Sequence, residues 1–517
     1  MRTVKTSAIA EFGDFQTPRI LSAAVCTLLA DLSIEPASIV EPTCGSGGFL
    51  FAAADRWPSS AIVAGFEINP AHALVARERA NARPDASRIR IQDCDFFKMD
   101  WPRVMEDLPS PILVIGNPPW VTNAHVSSLN GSNVPDKTNF QGHNGFDAIT
   151  GKANFDISEW MLIKLTEALN GRQAVLAMLV KTVVARKLLH HCWKKGCSLA
   201  EATIFNIDAA AHFNAAVDAS LLILKFGPAQ ACMRASVYGQ MNKAIGPTAT
   251  IGLADGMIVA NLDAYERTRH LCGDSRLKWR SGIKHDCSKV MELRFDRNQL
   301  KNGFGEIVDL EDDYLFPMLK TSEVAGGDAA SCKRRMIVPQ RRIGDSTSEI
   351  ADRAPRTWAY LQSHREQLSR RGSSIYLNKP EFSIFGVGEY SFAPWKIAIS
   401  GMYKSLNFMK VGSRDGKPIV LDDTTNFMPC QSEAGASLLL SMLTSEPART
   451  FFSAFVFWDA KRPITVELLC RLNLHALASQ LNMSYEFEQH FGPQAGGTAG
   501  RGRQKRPLIP VPRLWGS

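Results

Sequence analysis

Between about Asp14 and Phe226, short apolar runs alternate with helix-compatible stretches, and this alternation limits the fold more than any single motif does. ASIVEP, AIVAGFEIN, SRIRIQDCDFF, PILVIGNPP, QAVLAMLV, EATIFNID and ASLLILKF read as strands. TPRILSAAVCTLLADL, PAHALVARERANAR and DISEWMLIKLTEALN read as helices between them. Continuously apolar strands must be buried on both faces, so helices must cover both sides of the sheet. The expected fold class is α/β, a doubly wound, mostly parallel sheet.

A chain of 517 residues is too long for one ordinary core. Past about residue 240 the pattern becomes irregular, with basic clusters such as KRRMIVPQRR, and a second, mixed α/β domain is expected. We place the domains at 1–240 and 241–490, followed by a flexible basic tail over 491–517. Helices are expected in GASLLLSMLTSEPARTFFSAFVF and TVELLCRLNLHALASQLN. Residues 1–240 hold 22 Lys+Arg and 22 Asp+Glu, so the formal +8 of the whole chain falls on residues 241–517. A neutral half beside a basic half fits a catalytic module joined to one that meets a polyanion. The polar stretch 121–153 interrupts the alternation, and a loop of that length inside a domain is usually functional or disordered.

No apolar run approaches the ~18 residues that span a bilayer, and the first residues lack a signal-peptide core. The eleven cysteines form no C-x-x-C pair. Cys192 and Cys197 read as free thiols, no metal site is expected, and the compartment should be reducing and cytoplasmic.

The strand ends carry the chemistry. EPTCGSGGFL follows a strand and opens a helix; Gly45, Gly47 and Gly48 let the backbone turn tightly and approach a ligand. No GK[ST] follows, which disfavours a nucleoside triphosphate. Glu41 would repel phosphate but could receive a cationic amino-acid group. Glu67, about twenty residues on, is placed to accept from ribose hydroxyls. Asp95 could accept from an adenine amine with Phe96 against the ring.

The series FGDFQTP, EPTCGSGGFL, FEIN, DCDFF and GNPPW resembles the S-adenosylmethionine-dependent DNA amino-methyltransferases, specifically the γ-class N6-adenine enzymes, over roughly residues 11–226. The resemblance implies a Rossmann-like class I methyltransferase domain followed by a target-recognition domain. It implies that Thr17, Glu41, Pro42, Cys44, Gly45 and Gly47 serve the methionine end, with Glu67 at the ribose and Asp95 and Phe96 at the adenine. Asn154, Phe155 and Asp156 resemble a further motif near the cofactor, although Asp156 reads equally as a helix N-cap.

In GNPPW, the Asn117 side-chain oxygen and the Pro118 carbonyl are candidate acceptors for the two protons of the target amine. Such acceptors would localise a lone pair otherwise spread into the ring. Pro119 restricts Pro118 and stiffens that carbonyl. Trp120 supplies a stacking face for a base swung out of the duplex, against the alternative of core filler. Phe213 is a second aromatic candidate, against the alternative of core packing.

Candidate contacts to double-stranded DNA are Arg334, Arg335, Arg341, Arg342, Lys396, Lys404 and Lys410. Only ten residues precede EFGDFQTP and no nuclease constellation is evident. A stand-alone, monomeric methyltransferase is expected, paired with a separately encoded restriction endonuclease. Cytosine N4 methylation, RNA or protein N-methylation, and an inactive specificity subunit remain the competing readings.

Overall fold

The computed structural model describes residues 16–121, 156–228, 231–297, 299–328 and 332–493. Residues 122–153, Asn154, Phe155 and all of the expected tail past Pro493 lie outside the described residues. The chain divides into two compact units, with the boundary along the sequence between Leu262 and Asp263.

The first unit is built on a ten-stranded sheet. In chain order its elements are α1 (Arg19–Asp31), β1 (Ser38–Glu41), α2 (Gly48–Arg56), β2 (Ile62–Glu67), α3 (Pro70–Asn81), β3 (Ile89–Asp93), α4 (Trp101–Glu106) and β4 (Ile112–Gly116). There follow α5 (Ile157–Leu169), β5 (Ala174–Lys181), α6 (Thr182–Lys195), β6 (Leu199–Ile207), α7 (Ala209–Phe213), β7 (Ala219–Phe226), β8 (Arg234–Tyr238), β9 (Ala249–Ala254) and β10 (Met257–Val259). The sheet order is β10-β9-β8-β6-β7-β5-β4-β1-β2-β3. Strands β3, β2, β1, β4 and β5 are parallel throughout, and β7 inserts antiparallel between β5 and β6. The seven expected strands are all present.

The boundary falls later than residue 240, because β8 pairs parallel to β6 and brings β9 and β10 into the same sheet. Their short, half-exposed alternation at the sheet margin hides them from a search for apolar runs.

Local chemistry sets the helix ends. Asn69 caps α3 by accepting from the Ala71 N–H at 3.0 Å, with Pro70 as the first helical residue. Helix α6 stops on Gly196, which is left-handed at φ 68°, with Lys194 and Lys195 in its last turn. Chain reversal passes β1 outward to β2 and β3, while β4 leads to β5 on the other side. The carboxyl ends of β1 and β4 therefore flank a topological switch point, where open α/β sheets bind ligands. No helix among the described residues is long and apolar enough to cross a membrane.

The second unit is mixed α/β. One sheet has four antiparallel strands: Arg280–Ser281, Thr425–Cys430, Trp395–Ser400 and Phe408–Val411. A second has five, in the order Gln299–Lys301, Glu292–Asp296, Arg334–Ile337, Leu315–Leu319, Val420–Leu421, and a small third pairs Ser413–Arg414 with Lys417–Pro418. The expected helix over 435–457 is two helices, Glu433–Thr444 and Glu446–Phe455. Pro447 lacks an N–H and would collide with the carbonyl four residues back, which disfavours a continuous helix, and it sits instead in the first turn of the second one. The expected helix over 465–482 also splits, and the Asn473 side chain caps its second part by accepting from His475 and Ala476 N–H groups.

Candidate active site

At the switch point, the strand-end residues line one open cleft with about 810 Å³ of empty space, its mouth included. Thr17, Glu41, Pro42, Cys44, Gly45, Glu67, Phe96, Asn117 and Pro119 all line it. The four strand ends that sequence reasoning singled out thus converge.

Two carboxylates build the frame of the cleft. Glu41 is only 3% exposed, and its Oε2 accepts from the Leu50 N–H at 2.7 Å, within the first turn of α2. That bond satisfies one of the donors a helix start leaves unpaired. Burial holds the Glu41 carboxyl well above the usual carboxylate range; the Leu50 N–H pulls it down and the Glu67 charge pushes it up. Glu67 spans two turns, with Oε2 accepting from Gly45 N–H at 2.7 Å and Oε1 from Asn69 N–H at 2.8 Å. It thereby ties the glycine turn after β1 to the start of α3. Gly45 is left-handed at φ 53°, and a Cβ there would crowd the Gln16 amide.

Gly47 and Asp95 do not line the cleft among the described residues. Gly47 is the left-handed N-cap of α2, at φ 89°. Asp95 caps the short turn Phe96–Lys98 by accepting from the Phe97 N–H at 2.9 Å, and it pairs with Lys98 at 3.5 Å. Its place beside the cleft is taken by Cys94 and by Phe96, whose ring packs on Trp101 at 4.7 Å. Sequence reasoning missed Gln16, Asn69, His72 and Met161 in the lining. Asn69 carried a signal, since Asn-Pro after a strand announces a helix start.

In the Asn-Pro-Pro-Trp corner after β4, Asn117 donates from Nδ2 to Thr17 Oγ1 at 3.3 Å. This sets which arm of the amide faces Thr17 and which faces away. Pro118 is buried and Pro119 half-buried. Trp120 is 6% exposed, and its Nε1 donates to the Leu179 carbonyl at 3.2 Å. It does not line the cleft, and it meets Phe213 edge-to-face at 5.1 Å. The indole is therefore part of the core in this structure, with Phe213 packed against it.

Sequence reasoning also missed Lys181, the last residue of β5. Its Nζ donates to the Trp120 carbonyl at 2.9 Å and to Asp156 Oδ2 at 2.6 Å. Asp156 is the N-cap of α5, its Oδ1 accepting from Ser158 N–H and Oγ. The Ile157 N–H bonds the Val121 carbonyl at 2.9 Å. One lysine and one cap thus fasten the corner to α5 and β5. No signal marked Lys181, because a lysine ending an apolar strand reads as a solvated end.

Residues 1–183 match the N-6 DNA Methylase family. Over 469 residues the chain is 44% identical to the type II methyltransferase M.NspV of Nostoc sp., covering 90% of this chain and 97% of that one. The chain belongs to the type II N-6 DNA methyltransferases. It is a DNA adenine N6-methyltransferase of restriction–modification type, which sets aside cytosine N4, RNA and protein amides as its substrate. A shorter stretch of this methyltransferase, 110 residues, is 36% identical to the type II methyltransferase M.CvrRI of Paramecium bursaria Chlorella virus XZ-6E, covering 21% of this chain and 25% of that one. Among solved structures, the type IIL restriction–modification enzyme MmeI in complex with DNA shares the fold. Its TM-score is 0.52 at 12% identity, covering 88% of this chain and 64% of that chain.

The basic residues expected to meet DNA divide sharply in the second unit of the methyltransferase. Lys396 is corrected: it is 1% exposed, and its Nζ donates to the Ala393 carbonyl at 2.7 Å inside the four-stranded sheet. Burial pulls its pKa down to about 7. Its strand, Trp395–Ser400, is buried from Lys396 to Ser400, so both faces of the strand are covered. Arg334 pairs with Glu323 at 3.4 Å and Arg335 with Asp415 at 2.5 Å. Arg342 pairs with Glu389 at 3.1 Å and Lys410 with Glu433 at 2.9 Å. Lys404 is exposed. Arg341 is exposed as well, its guanidinium lying over Phe392 at 4.3 Å and Phe316 at 5.1 Å.

Proposed function

We propose that this adenine methyltransferase binds S-adenosylmethionine in the switch-point cleft and receives its target base at the Asn117–Trp120 corner. The observation that carries this reading is that Asn117 and Pro119 line the same cleft as Glu41 and Glu67. When bound, S-adenosylmethionine supplies an activated sulfonium methyl. Glu41 suits its amino-acid end, because a buried carboxyl whose charge is costly gains from a cation beside it. Glu67 has further lone pairs beyond those used by Gly45 and Asn69, which suits ribose hydroxyls. Phe96 offers an apolar wall for the adenine. Thr17, Pro42, Cys44 and Gly45 close the methionine end.

At the corner, Asn117 Oδ1 and the Pro118 carbonyl accept from the two N–H groups of the target N6. Neither acceptor titrates near neutrality, so they orient the amine and leave the proton to depart to water after transfer. Alignment then supplies most of the catalysis. A flipped base that stacks on Trp120 takes the place now held by the Phe213 ring, so its capture requires that ring to turn aside. The second unit serves as the target-recognition domain for duplex DNA. We place the enzyme in the cytoplasm at the nucleoid, as a monomer beside a separate endonuclease.

The test is Asn117→Ala, assayed for methyl transfer to DNA and, by calorimetry, for cofactor binding. The expected result is loss of transfer with cofactor binding kept. Near-normal turnover would remove Asn117 from the reaction.

A further inference from the structure

We infer that Arg341 is a sequence-reading residue that donates to the major-groove edge of a guanine in the recognised site. This rests on the reading of the second unit as the target-recognition domain. Four features support it, and the first is charge. Arg334, Arg335 and Arg342 each meet a carboxylate within 4 Å, whereas among the described residues Arg341 meets none. Its guanidinium instead lies over the faces of Phe392 and Phe316. The two rings attract the cation without taking up its N–H donors, which stay available to a partner.

The second feature is rigidity. The loop bearing Arg341 is clamped by Gln340, which is 2% exposed. Gln340 donates from Nε2 to the Asp345 carbonyl at 2.6 Å and accepts at Oε1 from the Ile384 N–H at 2.9 Å. The Val338 N–H bonds the Tyr314 carbonyl at 2.8 Å, and the Arg342 N–H bonds Asp345 Oδ2 at 2.7 Å. A side chain on so braced a loop loses little freedom on binding.

The third feature is shape. Arg341 lines an open groove with about 1130 Å³ of empty space, shared with Tyr314 and Arg353. The fourth is the sign of the lining. Asp313, Asp345 and Glu349 share that groove, and carboxylates repel a phosphate backbone. Base edges carry donors as well as acceptors, so a mixed lining suits them. A guanidinium fork matches guanine O6 and N7, the acceptor pair of that edge.

The experiment uses the full chain as wild type, Arg341→Met and Arg341→Lys. Methionine keeps an apolar stem over the two rings; lysine keeps the charge without the fork. Modified-base sequencing of a randomised plasmid library gives each variant's methylation motif. The expected result is a wild-type motif containing a guanine whose discrimination falls about 5- to 150-fold in both variants, with salt dependence of binding unchanged. An unchanged motif overturns the inference. So does uniform weakening across sequences with the salt slope reduced by about one, the mark of a phosphate contact. Photocrosslinking to iodouracil-substituted DNA tests the domain reading separately. Crosslinks within Asp263–Ala499 beside an unchanged motif sink the role of Arg341 alone; crosslinks confined to the first unit sink the domain reading too.

Discussion

Replacing Lys181 with methionine isolates what fastens the catalytic corner. Lys181 Nζ lies 2.6 Å from Asp156 Oδ2, and the two side chains are 21% and 9% exposed, so solvent screens the pair only in part. Methionine keeps the stem and deletes two charge-assisted hydrogen bonds, to Asp156 and to the Trp120 carbonyl. Each such bond is worth about 1.5–3 kcal/mol net. Asp156 would keep its Ser158 bonds but lose its counter-charge. The expected cost is about 2–4 kcal/mol. Asp156→Asn alone should cost less, since the amide oxygen can still accept and Lys181, the more exposed partner, is better solvated. The double variant should be more stable than the sum of the two losses by about 2 kcal/mol. The assay is native-state hydrogen exchange of the β5 amides, which reports the stability of the strand carrying Lys181. Turnover on DNA should fall with the pair, because displacing a reacting group by about 1 Å costs roughly 10²-fold. Cofactor affinity should hold, because Glu41 and Glu67 sit on β1 and β2. Additivity of the two substitutions within about 0.5 kcal/mol would refute the coupling, and loss of cofactor affinity would refute the division of labour.

Lys396 gives a pH-dependent prediction. Its folded pKa, about 7, lies below its ordinary 10.5. Between those values the unfolded chain binds the extra proton, so this group makes stability rise with pH, by up to about 1.4 kcal/mol per unit. Lys396→Met should be more stable than wild type near pH 6.5, by about 2–4 kcal/mol once the lost bond to Ala393 is counted. Urea unfolding should show that gap closing towards pH 10, and a gap independent of pH would contradict the assignment. Gly47→Ala should weaken cofactor binding and cost at least ~1 kcal/mol, because φ is 89° there and a Cβ runs into the Phe51 ring. Calorimetry with S-adenosylmethionine checks it, and unaltered affinity would separate the α2 start from the cleft.

The catalytic half of the fold was legible because its strands are continuous apolar runs that end in residues no buried strand would choose for packing. Glu41, Glu67 and Asn117 each stand where a strand meets a turn, and the structure brings all three to one cleft. Asp95 carried the same signal, yet its carboxylate caps a local turn; a strand-end position does not say which way a side chain leaves. Trp120 followed the motif as expected, but its burial against Leu179 of β5 and Phe213 of α7 depends on elements far along the chain. Lys181 was invisible for the same reason, since its partners Trp120 and Asp156 are near only once β4 and β5 pair. In the second unit, short strands and interrupted helices carry little periodicity, and a lysine within a strand covered on both faces reads from sequence as a surface charge.

The charge excess of residues 241–517 overstates how many of the basic residues singled out in that half are free of acidic partners. Of the seven basic residues singled out there, Lys396 is buried, and Arg334, Arg335, Arg342 and Lys410 are matched to carboxylates within 4 Å. A guanidinium already paired must exchange one anion for another on binding phosphate, and the carboxylate it abandons then faces the same backbone. Such an exchange releases few counterions, so it adds little to the salt dependence that free cations produce. Affinity built this way rests more on shape and on the few side chains held apart from acids. That is the balance a modification enzyme needs: to pass over most of the genome, binding must be weak where the bases are wrong, and cations already matched to carboxylates add little grip there.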